Sequence, residues 1–269
     1  MSRTFLDDRQ LHVVAPILEA LRLKFFLSPH KYLFDRDTGK GGFSNGVSAL
    51  LPDTSSCGSF LVQMGHDPEM VLTARDADLS GDDGALGKAL GIPGCCVNAF
   101  VRNAEAAAAA QNDFTLFACR STCGEPDPWA INCAQYFGYG LVSHFPCSMN
   151  CEETSTMARA AARLLYDHVP KLAAEFVRYQ AYCYLYTEYD GVYAFLEKPE
   201  RQQDGWCYNG RRLEMSNRGL LSEALNRGDR LTVRSPSDFT IWARTSEVMT
   251  VRSDTAFLLF HNAMSSIEK

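Results

Sequence analysis

Ser143-His144-Phe145-Pro146-Cys147-Ser148-Met149-Asn150-Cys151 places an imidazole and two thiols within eight residues of each other. Upstream, Ile92-Pro93-Gly94-Cys95-Cys96 adds two adjacent thiols. Thiolate and imidazole are soft or borderline donors, and they suit zinc and iron–sulfur clusters. Cys95, Cys96, Cys147, Cys151 and His144 are therefore the candidate metal ligands. The spacing matches neither a zinc knuckle nor a ferredoxin. The donor types alone give a [4Fe–4S] cluster as the first expectation and zinc as the second. Two other readings stay open. One is a reduced, packed core in which His144 caps a helix or binds a carbonyl, since cysteine is among the most buried residue types. The other is metal-free thiol chemistry at a helix N-terminus.

Each thiol pair needs an element that presents it. Pro93 suits the first turn of a helix that runs through an alanine-rich stretch to about Ala110, which puts Cys95 and Cys96 in that first turn. Glu152 to His168 reads as a second helix, with Met157, Ala160, Ala161, Leu164 and Leu165 inward. Unpaired N–H groups and the positive dipole end of each helix favour thiolate there. Glu152 and Glu153 complement the same dipole. The sharper role for Glu152, with His144, is general acid/base catalysis beside a metal-bound substrate. Cys147 is expected to be more sensitive to substitution than Cys183 or Cys207, which lie in apolar, strand-like contexts.

Ile-Pro-Gly-Cys95-Cys96 and Ser-His144-Phe-Pro-Cys147-Ser-Met-Asn-Cys151 together resemble a pattern in uncharacterised bacterial and archaeal proteins. There a Gly-x-Pro-x-Cys-Cys stretch precedes a His-x-Pro-Cys-Ser-x-x-Cys stretch. The resemblance spans roughly residues 84 to 165, brings no activity, and implies that the two stretches work together. Cys57, Cys95-Cys96 and Cys133 are also spaced somewhat like the cysteine-rich modules of heterodisulfide reductases. Val97 stands where those modules carry glycine, and no Cys-x-x-Cys is present.

Composition bounds the rest. A chain of 269 residues, 46% hydrophobic and 22% charged, can bury one large core or two modest ones. A net charge of −6 argues against a nucleic-acid groove. No apolar run approaches the ~20 residues of a membrane span. Met1-Ser2-Arg3-Thr4 leads straight into an amphipathic pattern with no signal segment, so a cytoplasmic location with reduced thiols is expected for the ten cysteines. Cys119 and Cys123 read equally as a further ligand or redox pair and as incidental loop cysteines; whether Cys133 joins the site is open.

The fold class is read as α+β: a helical cysteine-rich core over 1–181 with a small hairpin, then a mainly antiparallel β region over 182–269. The two regions can belong to one domain. A helix is expected over Leu6–Phe26, kinked at Pro16 and ended by Pro29. Residues 31–56 read mostly as loop with a strand at Tyr32–Phe34, and Ser59–Met64 with Met70–Ala74 as a hairpin. Asp76–Asp82 imitates the start of a calcium loop, but position 12 would be Gly87 instead of glutamate, which favours an acidic helix cap. The chemistry expected is that of a metalloenzyme acting on a small molecule by redox, sulfur-transfer or Lewis-acid chemistry. The alternative is a structural-zinc binding or accessory module without catalysis.

Overall fold

The computed structural model describes residues 2–34, 47–110, 113–216, 218–235, 238–252 and 256–260. It is α+β and forms two compact units, one of residues up to 110 and one of residues from 113 onward. Residue 182, where the sequence pattern turns from helix to strand, lies inside the second unit.

The first unit runs β1 (Ser2–Leu6), α1 (Asp8–Ala20), β2 (Lys24–Phe34), β3 (Val47–Pro52), β4 (Ser59–Gly65), α2 (Pro68–Ser80), α3 (Asp83–Ala89) and α4 (Gly94–Ala109). Its sheet is antiparallel in the order β1-β4-β2-β3. The long helix expected over Leu6–Phe26 is corrected to strand–helix–strand. Asp7 closes a capping box with Gln10 at the start of α1, and the helix stops at Leu21, with Arg22 at φ 56°. Phe25 and Phe26 extend the apolar pattern of α1 but pair with Met64 and Gln63 of β4. Pro29 ends no helix. It sits where the β2–β4 register shifts between Leu27 and Lys31, a place where a strand tolerates a missing N–H. There the Ser28 hydroxyl donates to His30 O and accepts from Leu61 N.

Residues 47–52, expected as loop, form β3; residues 35–46 lie outside the described residues. The expected strand over Met70–Ala74 is helical. Asp67 accepts from the N–H groups of Glu69 and Met70, and Pro68 occupies the first turn of α2. Asp-Pro thus starts a helix here instead of closing a hairpin. Asp76 and Asp78 lie on α2, paired with Arg75 and Arg3, and Gly81 is its left-handed cap. Asp82 caps α3, so the calcium-like pattern is two helix ends.

The second unit runs α5 (Phe114–Arg120), a 3-10 turn (Asn132–Phe137), α6 (Glu152–His168), α7 (Pro170–Gln180), β5 (Cys183–Thr187), β6 (Gly191–Phe195), β7 (Glu200–Gln202), β8 (Gly205–Cys207), β9 (Leu213–Met215), α8 (Leu220–Arg227), β10 (Arg230–Ser235), β11 (Asp238–Ala243), β12 (Ser246–Arg252) and β13 (Ala256–Leu259). Two antiparallel sheets, β13-β5-β6-β9 and β12-β11-β10-β8-β7, share a core with α8. Leu185, Phe195, Leu225, Leu231 and Ile241 meet there, with Cys183 among them. Among the described residues, the β1-β4-β2-β3 sheet consists of strands of the first unit alone. Cys96, Cys119, Cys133 and Cys151 are buried, but a cysteine-rich helical core is not shown by the helical clusters among the described residues. The cluster around Trp129 uses Ala158 and Ala162 of α6, and the one around α2 and α3 uses Ala74, Ala77, Leu86 and Ala89. The buried face of α6 is Thr154, Ser155, Ala158 and Ala162; Leu164, expected inward, is exposed.

One close approach sets the start of α4. A Cβ added at Gly87 on α3 would lie 2.6 Å from Val97 Cγ2. Valine is nearly locked in χ1 on a helix and cannot swing aside. Gly87→Ala should therefore destabilise the protein by about 1–3 kcal/mol, although alanine is the better helix former. The double variant Gly87→Ala/Val97→Ala should recover part of the loss. Urea denaturation of the three variants against wild type measures both; additive losses would contradict the contact.

Candidate metal centre

Cys95 and Cys96 occupy the first turn of α4. Pro93, the residue before that helix, offers no side-chain cap, and its carbonyl accepts from the N–H groups of Cys96 and Val97. The two Sγ atoms are 3.8 Å apart. Adjacent residues on a helix point about 100° apart, so such an approach brings both thiols round to one side.

Cys151 is the N-cap residue of α6. Its carbonyl accepts from Ser155 N at 3.0 Å, and no side chain caps the helix. Serine, threonine or aspartate would ordinarily stand here, with a side-chain oxygen on the first-turn amides. A thiol in that place puts sulfur at the positive end of the helix dipole, which favours thiolate.

The loop from Cys147 to Cys151 is pinned from the chain that follows α5. Met149 N donates to Thr122 Oγ1 at 2.8 Å, and that hydroxyl donates in turn to Ala118 O. Asn150 Nδ2 donates to Cys123 O at 2.6 Å and Ser148 Oγ donates to Asn150 Oδ1. Asp127 N donates to Met149 O, while the Met149 side chain is fully buried. Upstream, Phe145 stacks on Phe114. Thr122, Met149 and Asn150 carry no ligand signal, so their positioning role is not legible from residue type. The turn-rich composition of 119–128 was the one available hint.

Cys95 and Cys96 of the first unit and Cys147 and Cys151 of the second make up the candidate ligand group, and within each pair the two Sγ atoms lie within 4.8 Å of each other. Cys96 and Cys151 are buried, and Cys95 and Cys147 are partly exposed. The donor set fits a soft cation. At a metal–sulfur distance of about 2.3 Å, a tetrahedron of thiolates has edges of about 3.8 Å. Cys119, Cys123 and Cys133 are not in this group.

His144 also stands outside it. The imidazole is 6% exposed, and its Nε2 shares a hydrogen bond of 3.0 Å with Thr154 Oγ1. Burial lowers its pKa from the ordinary 6.5 to about 4, so the ring is neutral at pH 7. Glu152 is exposed in the first turn of α6, and its neighbour Glu153 approaches the thiols instead: Cys151 Sγ donates to Glu153 Oε2 at 3.5 Å.

Comparison with family models, with curated proteins and with solved structures finds no match. No helix among the described residues is long and apolar enough to cross a membrane.

The buried histidine carries a pH signature. Its folded pKa lies below the unfolded one, so between pH 6.5 and about 4 the unfolded chain binds the extra proton. The stability tied to neutral His144 is complete above pH 6.5 and lost as pH falls to about 4. The upper bound on that loss is about 3 kcal/mol. His144→Gln should flatten the dependence in this window. Denaturation curves at pH 7, 5.5 and 4 test it, and identical pH dependence in variant and wild type would contradict it.

Proposed function

We propose that this chain is a metal-binding protein in which Cys95, Cys96, Cys147 and Cys151 hold a single transition-metal ion, zinc before iron, in a closed tetrahedral site of structural type. The supporting observation is that each unit sets two thiols within 4.8 Å of each other beside a helix start without a side-chain cap. That spacing suits one ion bound by four thiolates. On a four-iron cluster each thiolate sits on a different iron, which spreads the sulfurs further apart. A set of four protein ligands leaves no position for substrate, as in structural sites. Such an ion supplies charge neutralisation and cross-linking. The residues around it do the rest: the two uncapped helix starts favour the thiolates, and Thr122, Asn150 and Met149 hold the loop in place. His144 and Thr154 brace the approach to Cys147 from behind, as positioning residues.

A second reading keeps an iron–sulfur enzyme acting on a small molecule by redox, sulfur-transfer or Lewis-acid chemistry. It is favoured by the partial exposure of Cys95 and Cys147, which opens one side of the site to solvent, and by the carboxylate of Glu153 beside Cys151.

Anaerobic purification with zinc, iron and acid-labile sulfide measured per chain separates the two. One equivalent of zinc without sulfide is expected. Cys96→Ser, Cys147→Ser and Cys151→Ser should each lose stoichiometric metal, and Cys183→Ser, in the sheet core, should keep it. Chelation should cost about 4 kcal/mol of stability where free metal stood a thousandfold above Kd. Several irons with sulfide would replace the first reading by the second. A chain without stoichiometric metal under these conditions would end both.

A further inference from the structure

The Cys147–Cys151 pair lies wholly in the second unit, and its two Sγ atoms are within 4.8 Å of each other. Its members are unequal. Cys147 is partly exposed in the loop that follows Pro146, whereas Cys151 is 4% exposed at the N-cap of α6. The backbone between them folds into a turn, with Cys151 N donating to Ser148 O at 3.2 Å. An accessible sulfur poised beside a second one is the arrangement of a redox-sensing cysteine and its resolving partner. The positive end of the α6 dipole favours thiolate here. Cys151 Sγ donates to Glu153 Oε2 at 3.5 Å, so its proton already has an acceptor.

The other thiols lack this combination. Cys95 and Cys96 have their Sγ atoms 3.8 Å apart. Consecutive Cα atoms, however, are ~3.8 Å apart, below the ~4.4–6.8 Å that an unstrained disulfide spans. Joining them would distort the start of α4. Cys57 and Cys123 are exposed, but both stand in loops away from a helix start.

We propose that this pair is a redox modification site: a hydroperoxide oxidises Cys147, and Cys151 converts the product to a disulfide within the loop. The Cys147 thiolate attacks one peroxide oxygen. The O–O bond breaks, an S–O bond forms, and an alkoxide or hydroxide leaves and takes a proton from water. The Cys151 sulfur then attacks the Cys147 sulfur while its proton passes to Glu153. The S–O bond breaks, and the departing hydroxide takes that proton and leaves as water. Two thiols and one hydroperoxide thus give one disulfide, one alcohol or water, and one further water; the sulfurs lose two electrons and the peroxide gains two. So short a loop constrains the chain little, and a partly exposed disulfide is open to reduction by small thiols. The modification is therefore reversible. One consequence rests on the metal-binding reading: the same step takes two of the four ligands from the ion and releases it.

The full chain, zinc-loaded and after chelation, is treated with one equivalent of hydrogen peroxide, alkylated in denaturant and mapped by mass spectrometry. The expected product is a Cys147–Cys151 disulfide, with two fewer free thiols than the ten of the reduced chain, both restored by dithiothreitol. In Cys151→Ser the reaction should stop at a sulfenic acid on Cys147, which dimedone traps; in Cys147→Ser, Cys151 should stay reduced. The wild-type map stands whether or not either variant folds. In the loaded chain a zinc-sensitive dye should report release in step with the disulfide. A chain that forms the disulfide and keeps its zinc would overturn the metal-binding reading and leave the modification site standing. The proposal itself is overturned if peroxide leaves both thiols free, if either pairs with another cysteine instead, or if Cys57 or Cys123 is oxidised before them.

Discussion

Two thiols crowded within 4.8 Å of each other beside a helix start, once in each unit, form the constraint on which the proposed site depends. As thiolates they repel one another, and as thiols they gain little from such crowding. A soft cation turns that repulsion into four bonds. The chain prepares for this in its backbone: each thiol-bearing helix begins without a side-chain cap, so the positive end of its dipole stands beside the thiols it carries. Loading such a site releases the thiol protons, Cys151's among them, which now points at Glu153.

What holds the thiols in place is ordinary packing. The approach of α3 to α4 at Gly87 sets the start of the helix that carries Cys95 and Cys96. The loop from Cys147 to Cys151 is fastened by hydrogen bonds to the Thr122 hydroxyl, the Cys123 carbonyl and the Asp127 N–H group and by the buried Met149. Behind that loop, Trp129 packs on the alanine face of α6, with Arg159 over its ring and in an ion pair with Asp127. Gln180 of α7 donates to the carbonyl oxygens of Pro128 and Ile131. Deformation of the loop would break several of these contacts together, which is the preorganisation a metal site needs.

The parts of this arrangement legible in sequence are those with strong local chemistry. Pro93 before an alanine run marks α4, and the turn at Tyr189-Asp190-Gly191 between aromatic stretches marks β5 and β6. The thiol cluster followed from donor type and the placement of both pairs at helix starts. Elements whose identity rests on a distant partner were not legible. The apolar run at Phe25 and Phe26 fits a helix as well as a strand until β4 pairs with it. The strands β7, β8 and β9 have three residues each, too few to show a period. His144 shows the same limit at the site: sequence gives its reach, but the hydroxyl of Thr154 and the surrounding burial decide that it stays neutral and outside the thiol group.

The central claim is that one ion sits among four sulfurs. X-ray absorption at the edge of the bound metal, on protein purified without oxygen, reads this directly. The account predicts a single shell of four sulfur neighbours at about 2.3 Å, the distance of a zinc tetrathiolate, with no metal neighbour beyond it. A short metal–metal distance, or a first shell that contains nitrogen or oxygen in place of one of the sulfurs, would contradict it.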